Sequence, residues 1–216
     1  MKKLSLRVLA EVAIFAALGF ALDAFQKGLT GVLFKSGGSI GIAMLPVLFI
    51  AYRRGLVPGL ICGLLLSLIQ MLSSLYIVNG SNFSNPFMQA AGPFIQVMLD
   101  YVLAYTVVGF AGAFAGLYKK TGKIRFIVIG SIIGTFLKYM SHVLAGGLFY
   151  LNNGAEIFGV KDSSWLFTFV YNGAYMIPNI IICTLLMVLI SLKYNRLLNA
   201  EDEEAKVVLV SDTKGE

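Results

Sequence analysis

Long apolar runs separated by short polar or basic connections dominate the chain. Five of them are long enough to cross about 30 Å of hydrocarbon as helices. One more run, residues 40–52, is shorter and can cross only if neighbouring helices shield it. It comes second in chain order, and the six runs are numbered in that order. The pattern predicts an all-α integral membrane protein with six transmembrane helices. The five long runs are residues 8–25, 56–78, 90–118, 124–150 and 165–192.

Composition agrees with this assignment. The 216 residues are 58% hydrophobic and 13% charged, with a mean hydropathy of +0.82, which is typical of a membrane protein rather than a soluble domain. The two cysteines, Cys62 and Cys183, lie inside apolar runs, where a thiol behaves as a small hydrophobe. We therefore expect no disulfide framework, no metal site and no cofactor.

The first apolar run follows two lysines and could be mistaken for a secretory signal peptide. Arg7 and Glu11 interrupt the apolar core that such a peptide needs, and no small-x-small cleavage site follows it. We therefore expect a retained first helix.

Basic residues predict the orientation of the helices. They precede the first run, fill the second–third and fourth–fifth connections and follow the sixth run, whereas the opposite ends carry few. Because basic connections stay in the cytoplasm, both termini are predicted to be cytoplasmic, with the chain in the cell membrane. The net charge of +6 mainly reflects this topology, so it does not indicate a nucleic-acid partner. Residues 1–198 form the predicted membrane domain, and the acidic residues 199–216 form a solvated, disordered tail.

Asp100 stands in the middle of the fourth run, where an ionised carboxylate costs several kcal/mol unless it is offset. At 1.5 Å per residue it lies roughly 10 Å below the outer end of its helix. His142 and Asn172 fall at nearly the same depth in the fifth and sixth runs. Each could be a simple interhelical hydrogen-bond partner, and Asp100 could merely pair with Lys138, one turn deeper than His142.

The shared depth favours a pocket that opens outward. Aromatic residues at the same level can form its walls, and a carboxylate among aromatic rings suits a flat organic cation. His142 and Asn172 add directional hydrogen bonds for a heteroaromatic ring. The aromatic residues are Tyr101, Tyr150, Trp165, Phe167 and Tyr171.

Helix one carries small residues at every fourth position: Ala13, Ala17 and Ala21. Such a stripe lets helices approach closely. Two interpretations remain open, namely packing inside this chain or docking of a separate membrane subunit.

Enzymatic function has little support in the sequence. The segment from Gly116 to Ile124 has five residues between its glycines and no Ser or Thr after the lysine, so it is not a Walker motif. With one histidine and no HExxH motif, an intramembrane protease is also disfavoured.

Several motifs together resemble the thiamine-binding subunits of energy-coupling-factor (ECF) importers. They occur in order over nearly the whole chain outside the acidic tail. The motifs are the alanine stripe, GGSIGIAMLP (37–46), RRG (53–55), LDY (99–101), KYMSHVLAG (138–146) and YNGAY (171–175).

The resemblance implies a six-helix substrate-binding subunit that captures thiamine outside. A shared transmembrane coupling subunit and two ATPases would then deliver the vitamin. It also implies that Ala13, Ala17 and Ala21 dock the coupling subunit. The implied substrate-binding residues are Asp100, Tyr101, Lys138, His142, Gly146, Tyr150 and Asn172; Phe167 and Trp165 complete the candidate set.

Three positions depart from the family pattern. Asp100 stands where some members have Glu, Tyr150 where Trp is frequent, and Phe167 where Tyr is frequent. Two alternatives to thiamine import follow from the pocket chemistry. The same fold could bind another vitamin or a pyrimidine or thiazole precursor, or the chain could be a stand-alone proton-coupled carrier acting through Asp100 and His142.

Overall fold

The computed structural model describes residues 4–34, 37–151, 156–157, 160–161 and 164–199. Nearly all regular structure in these residues is helical. A two-residue strand pair, β1 (Glu156–Ile157) antiparallel to β2 (Val160–Lys161), is a small exception. The helices are α1 (Leu6–Thr30), α2 (Leu45–Arg54), α3 (Leu56–Ser74), α4 (Pro86–Thr121), α5 (Arg125–Tyr150), α6 (Trp165–Lys193) and α7 (Asn195–Leu198), with 3₁₀ turns at Gly31–Leu33 and Gly80–Asn82.

Five of these helices, α1, α3, α4, α5 and α6, are long and apolar enough to cross a membrane. The sixth, α2, has only ten residues, and most of them are buried. It packs against α1, α3 and α4, which provide the shielding that so short a helix needs. The predicted all-helical membrane architecture is confirmed.

Several helix boundaries differ from the predicted runs. Helix α1 continues to Thr30 rather than residue 25, α4 begins at Pro86 rather than residue 90, and two further differences have a clear structural cause. Helix α3 ends at Ser74 rather than at residue 78, because α4 side chains hydrogen-bond the backbone N–H groups of Tyr76 and Val78. Helix α2 begins at Leu45 rather than at residue 40. The backbone before it is bonded by side chains instead of helical carbonyls, since Asn179 accepts from the Gly41 N–H at 2.7 Å.

The beginning of α1 and the end of α2 meet at one end of the bundle. Glu11 accepts from both Arg53 and Arg54, the latter at 2.7 Å from two guanidinium nitrogens. Arg53 also donates to the carbonyl of Leu197, and Lys119 donates to the carbonyl of Arg53 at 2.9 Å. Both ends of the described chain therefore lie at the basic end that the charge pattern assigns to the cytoplasm. Lys2, Lys3, Lys35 and the acidic tail from residue 200 lie outside the described residues.

Close contact between α3 and α4 depends on glycine. A Cβ on Gly63 would overlap the backbone carbonyl of Tyr105, and one on Gly109 would overlap the backbone at Gly59. Small residues let membrane helices approach at van der Waals distance. This approach fixes the half of α4 that carries Asp100 and Tyr105 beside α3.

Candidate binding site

A cavity of about 670 Å³ lies at the end of the bundle opposite the Glu11 cluster. Residues of α1, α3, α4, α5 and α6 line it, together with the connections after α1 and α3. Its size falls in the range of small-molecule sites.

Most of the residues predicted for the site meet around this cavity, and Trp165 is the exception. Trp165 is 45% exposed and packs against Gly147, where any side chain would overlap its ring. The rotation of α6 turns the Trp165 ring toward Gly147 rather than into the cavity. The predicted residues that line the cavity are Asp100, Tyr101, Lys138, His142, Gly146, Tyr150, Phe167 and Asn172.

Asp100 is held by three side chains. His142 Nδ1 lies 2.9 Å from one carboxylate oxygen, Oδ1. The Tyr150 hydroxyl donates to the other, Oδ2, at 2.8 Å, and the Gln96 amide lies 3.4 Å from the same atom. Asp100 is thus engaged by His142 and Tyr150, and the simple ion pair with Lys138 that the sequence left open does not form.

Helices α4 and α5, which carry Asp100 and His142, both widen at the cavity. The backbone is π-helical at Met98–Val102 and again at Gly146–Tyr150. Short π segments inside longer helices are frequent at functional sites, because they shift the direction of successive side chains. Here the neighbours Asp100 and Tyr101 both line the cavity.

Asn172 joins α6 to the site. Its amide donates to the Thr168 carbonyl at 2.9 Å and to the His142 carbonyl at 3.4 Å, and it accepts from the Tyr175 hydroxyl at 2.6 Å. The three polar residues that shared a predicted depth are therefore adjacent. Gly146 completes this contact, because a Cβ there would press on Asn172 and Thr168 at 3.3 Å.

The aromatic wall is continuous on the α6 side. Tyr175 packs edge-on against Tyr171 and against Phe34, and the Tyr171 hydroxyl donates to the Gly37 carbonyl at 2.8 Å. Phe167 is 6.0 Å from Tyr171 between ring centroids. On the other side, Tyr76 lies 6.3 Å from Tyr150.

The deeper end of the cavity is also polar. The Lys138 ammonium lies 3.0 Å from the centre of the Tyr105 ring, and the Tyr105 hydroxyl donates to Asp23 at 3.1 Å. Asp23 also pairs with Lys27 at 2.7 Å. The buried Gln70 amide nitrogen has no acceptor within the part of the chain that the structure describes. This end therefore offers an ammonium and an amide donor to a bound molecule.

Sequence reasoning missed several residues of the site. Asp23 and Lys27 were four residues apart at the end of the first run, a spacing typical of a helical ion pair. Gln96 was an isolated amide one turn before Asp100 in an apolar helix. Gln70 and Tyr105 offered no signal beyond their place in apolar runs.

The alanine stripe lies on the outside of the bundle. Ala13, Ala17 and Ala21 are all exposed, whereas the neighbouring Val12 and Ala16 are buried. The stripe therefore does not pack against another described helix of this chain.

The arrangement can hold a flat cation. A carboxylate bonded by His142 and Tyr150 supplies negative charge, aromatic rings supply cation–π and stacking surfaces, and the inner donors suit acceptor atoms of the same molecule. No group of His, Cys, Asp and Glu side chains that could hold a metal ion occurs among the described residues.

Comparisons with known proteins agree over most of the chain. The model of the family "Thiamine transporter protein (Thia_YuaJ)" matches residues 9–199. "Thiamine transporter ThiT" of Bacillus subtilis (strain 168) is 31% identical over 201 residues, covering 89% of this chain and 94% of that protein. The protein of the same name from Lacticaseibacillus paracasei is 31% identical over 176 residues, covering 77% of each chain.

The solved structure of ThiT from Listeria monocytogenes has the same fold. It superposes with a TM-score of 0.69 at 25% sequence identity, covering 90% of this chain and 98% of that one. The family match spans nearly every described residue, including both π-helical segments around the cavity. The chain belongs to the thiamine transporter protein family.

Proposed function

We propose that this chain is the substrate-binding subunit of an ECF-type importer and that it captures thiamine from outside the cell. The observation that carries the proposal is Asp100, bonded by His142 and Tyr150 in an aromatic cavity. A partly buried carboxylate that has no lysine or arginine within 4.0 Å among the described residues leaves room for a cationic ligand.

Thiamine matches this cavity chemically. Its thiazolium ring carries a permanent positive charge, and its aminopyrimidine ring is flat and bears both donors and acceptors. Asp100 supplies the counter-charge, while the Tyr76, Tyr150, Tyr171 and Tyr175 rings offer stacking and cation–π surfaces. Lys138 and Gln70 are placed to donate to acceptor atoms of the ligand.

The transport step requires partners. The sequence has no Walker motif, so ATP hydrolysis belongs to two separate ATPase subunits. A transmembrane coupling subunit links that hydrolysis to transport by this chain. The exposed stripe Ala13, Ala17 and Ala21 is the proposed docking face for that coupling subunit. Close helix contact through small residues is a common mode of association in membranes.

Reconstitution tests the proposal. Liposomes that contain this chain alone should take up no thiamine, and uptake should begin once the coupling subunit, both ATPases and ATP are present. Uptake by the chain alone, driven by a proton gradient, would instead establish the stand-alone carrier. Competition experiments with hydroxymethylpyrimidine and with the thiazole alcohol distinguish thiamine from its precursors as the ligand. If either precursor bound more tightly than thiamine, that precursor would be the ligand instead.

A further inference from the structure

Gln96 occupies an unusual place in the site. It lies on α4 one turn before Asp100 and is fully buried. A buried amide is costly unless it is hydrogen-bonded. Its nitrogen Nε2 lies 2.9 Å from the Tyr150 hydroxyl and 3.4 Å from Asp100 Oδ2, so it supports the carboxylate from the side opposite His142.

The same amide holds the backbone that follows α3. Gln96 Oε1 accepts from the Val78 N–H at 3.4 Å, and Nε2 lies 3.3 Å from the Tyr76 carbonyl oxygen. One side chain thus pairs with two backbone groups of an extended segment, as a neighbouring strand would. We call residues 74–78 the strap.

The strap forms part of the cavity wall. Ser74 and Tyr76 line the cavity, and the Tyr76 ring packs against Tyr150. Tyr101 holds the strap as well, accepting from the Tyr76 N–H at 2.9 Å. Both side chains that fasten the strap therefore stand within four residues of Asp100 on the same helix.

The contacts of Gln96 depend on one another, because its amide has fewer hydrogens than there are acceptors around it. Gln96 has two amide hydrogens, and three acceptors lie within reach: Asp100 Oδ2, the Tyr150 oxygen and the Tyr76 carbonyl. When a ligand draws the Asp100 carboxylate toward itself, an amide hydrogen becomes available to the Tyr76 carbonyl. Ligand binding would then strengthen the fastening of the strap.

We propose that Gln96 is a positioning residue that orients Asp100 and Tyr150 and couples fastening of the strap to ligand binding. The inference rests on the proposed function in taking thiamine as the ligand. Gln96→Met removes the hydrogen bonds while keeping an unbranched side chain of similar length. Gln89→Met is the matched control. It lies on the same helix and is exposed, and its amide donates to the Phe83 carbonyl of the same connection at 2.7 Å.

The coupling between thiamine binding and fastening of the strap is measured as the hydrogen-exchange rate of the Val78 amide. The full-length protein is used in detergent, with and without saturating thiamine. Thiamine should slow this exchange in the wild type and in Gln89→Met but not in Gln96→Met. Thiamine should also dissociate at least about tenfold faster from Gln96→Met, a loss of about 1.4 kcal/mol. Gln96→Glu keeps an acceptor for the Val78 N–H but has no amide hydrogens to share between Asp100 and the Tyr76 carbonyl, so the thiamine-dependent slowing should be lost there as well.

Three results would overturn the inference. They are wild-type dissociation and protection in Gln96→Met, equal losses in Gln89→Met, and thiamine-dependent slowing at Val78 that persists in Gln96→Glu. The last outcome decides the matter even if Gln96→Met does not fold. Absence of thiamine binding by the wild type would refute the proposed function instead, so the two failures are distinguishable.

Discussion

The Tyr150 hydroxyl donates to Asp100 Oδ2 at 2.8 Å. By the resemblance described in the sequence analysis, these two residues are also two of the three positions expected to depart from the family pattern, with Asp where some members have Glu and Tyr where Trp is frequent. A carboxylate that is one methylene shorter reaches less far into the cavity. A phenol beside it supplies a charge-assisted hydrogen bond from its terminal hydroxyl, whereas the donor of an indole is set in the ring and does not occupy the same position.

This relationship predicts that the two positions are coupled. Asp100→Glu alone should crowd the Tyr150 hydroxyl, and Tyr150→Trp alone should remove a bond to a charged group, worth about 1.5–3 kcal/mol. Each single variant should bind thiamine at least about tenfold more weakly, whereas the double variant should recover part of the loss. Calorimetry on all four proteins measures an expected interaction free energy of about 0.5–3 kcal/mol. Strictly additive losses would mean that the two residues act separately.

The charge of Asp100 should dominate thiamine affinity. Asp100→Asn keeps the shape of the side chain but removes the counter-charge to a desolvated cation, so affinity should fall by more than about 2 kcal/mol. Binding is measured by calorimetry, and thermal melting without thiamine checks that the variant folds. An unchanged affinity would show that Asp100 serves only to hold His142 and Tyr150.

The outer face of α1 should matter for transport but not for binding. Ala17 is exposed on that face, so Ala17→Leu should block close approach of the coupling subunit and abolish uptake while sparing thiamine binding. Ala113→Leu, at an exposed alanine on α4, is the control and should retain uptake. Loss of binding in Ala17→Leu would mean that the stripe supports the fold of this chain.

Helix packing behind the site should depend on Gly63. A Cβ there would overlap the Tyr105 carbonyl, so Gly63→Ala should destabilise the protein by about 1–3 kcal/mol through overpacking. Gly116→Ala is the control, since no atom lies within 4 Å of the added Cβ. Thermal melting should show a lower midpoint only for the first variant. Equal midpoints would mean that α3 and α4 separate without cost.

Much of the architecture follows from the sequence because membranes impose simple rules. Helix length and hydropathy predicted the five long spans, and depth along helices predicted that Asp100, His142 and Asn172 would meet. The end of α3 was not predictable in this way. Residues 75–78 remain apolar, and the hydrogen bonds that Gln96 and Tyr101 make to their backbone cannot be read from that pattern.

The arrangement of the inner half of the site could not be predicted from the sequence. Lys138 could pair with any carboxylate within a turn or two, and only packing decides that its ammonium lies over Tyr105 instead of beside Asp100. Trp165 had the right depth but points toward Gly147, because side-chain direction depends on the rotation of α6. Depth is readable from a sequence, whereas rotation about a helix axis depends on all its neighbours.

Titration calorimetry of thiamine into the purified wild-type chain tests the central claim most directly. The protein should bind one thiamine at micromolar concentration or tighter, without ATP and without any other subunit. Binding should be lost or strongly weakened in Asp100→Asn. A well-folded wild-type chain that gives no binding heat and no competition at micromolar thiamine would contradict the account.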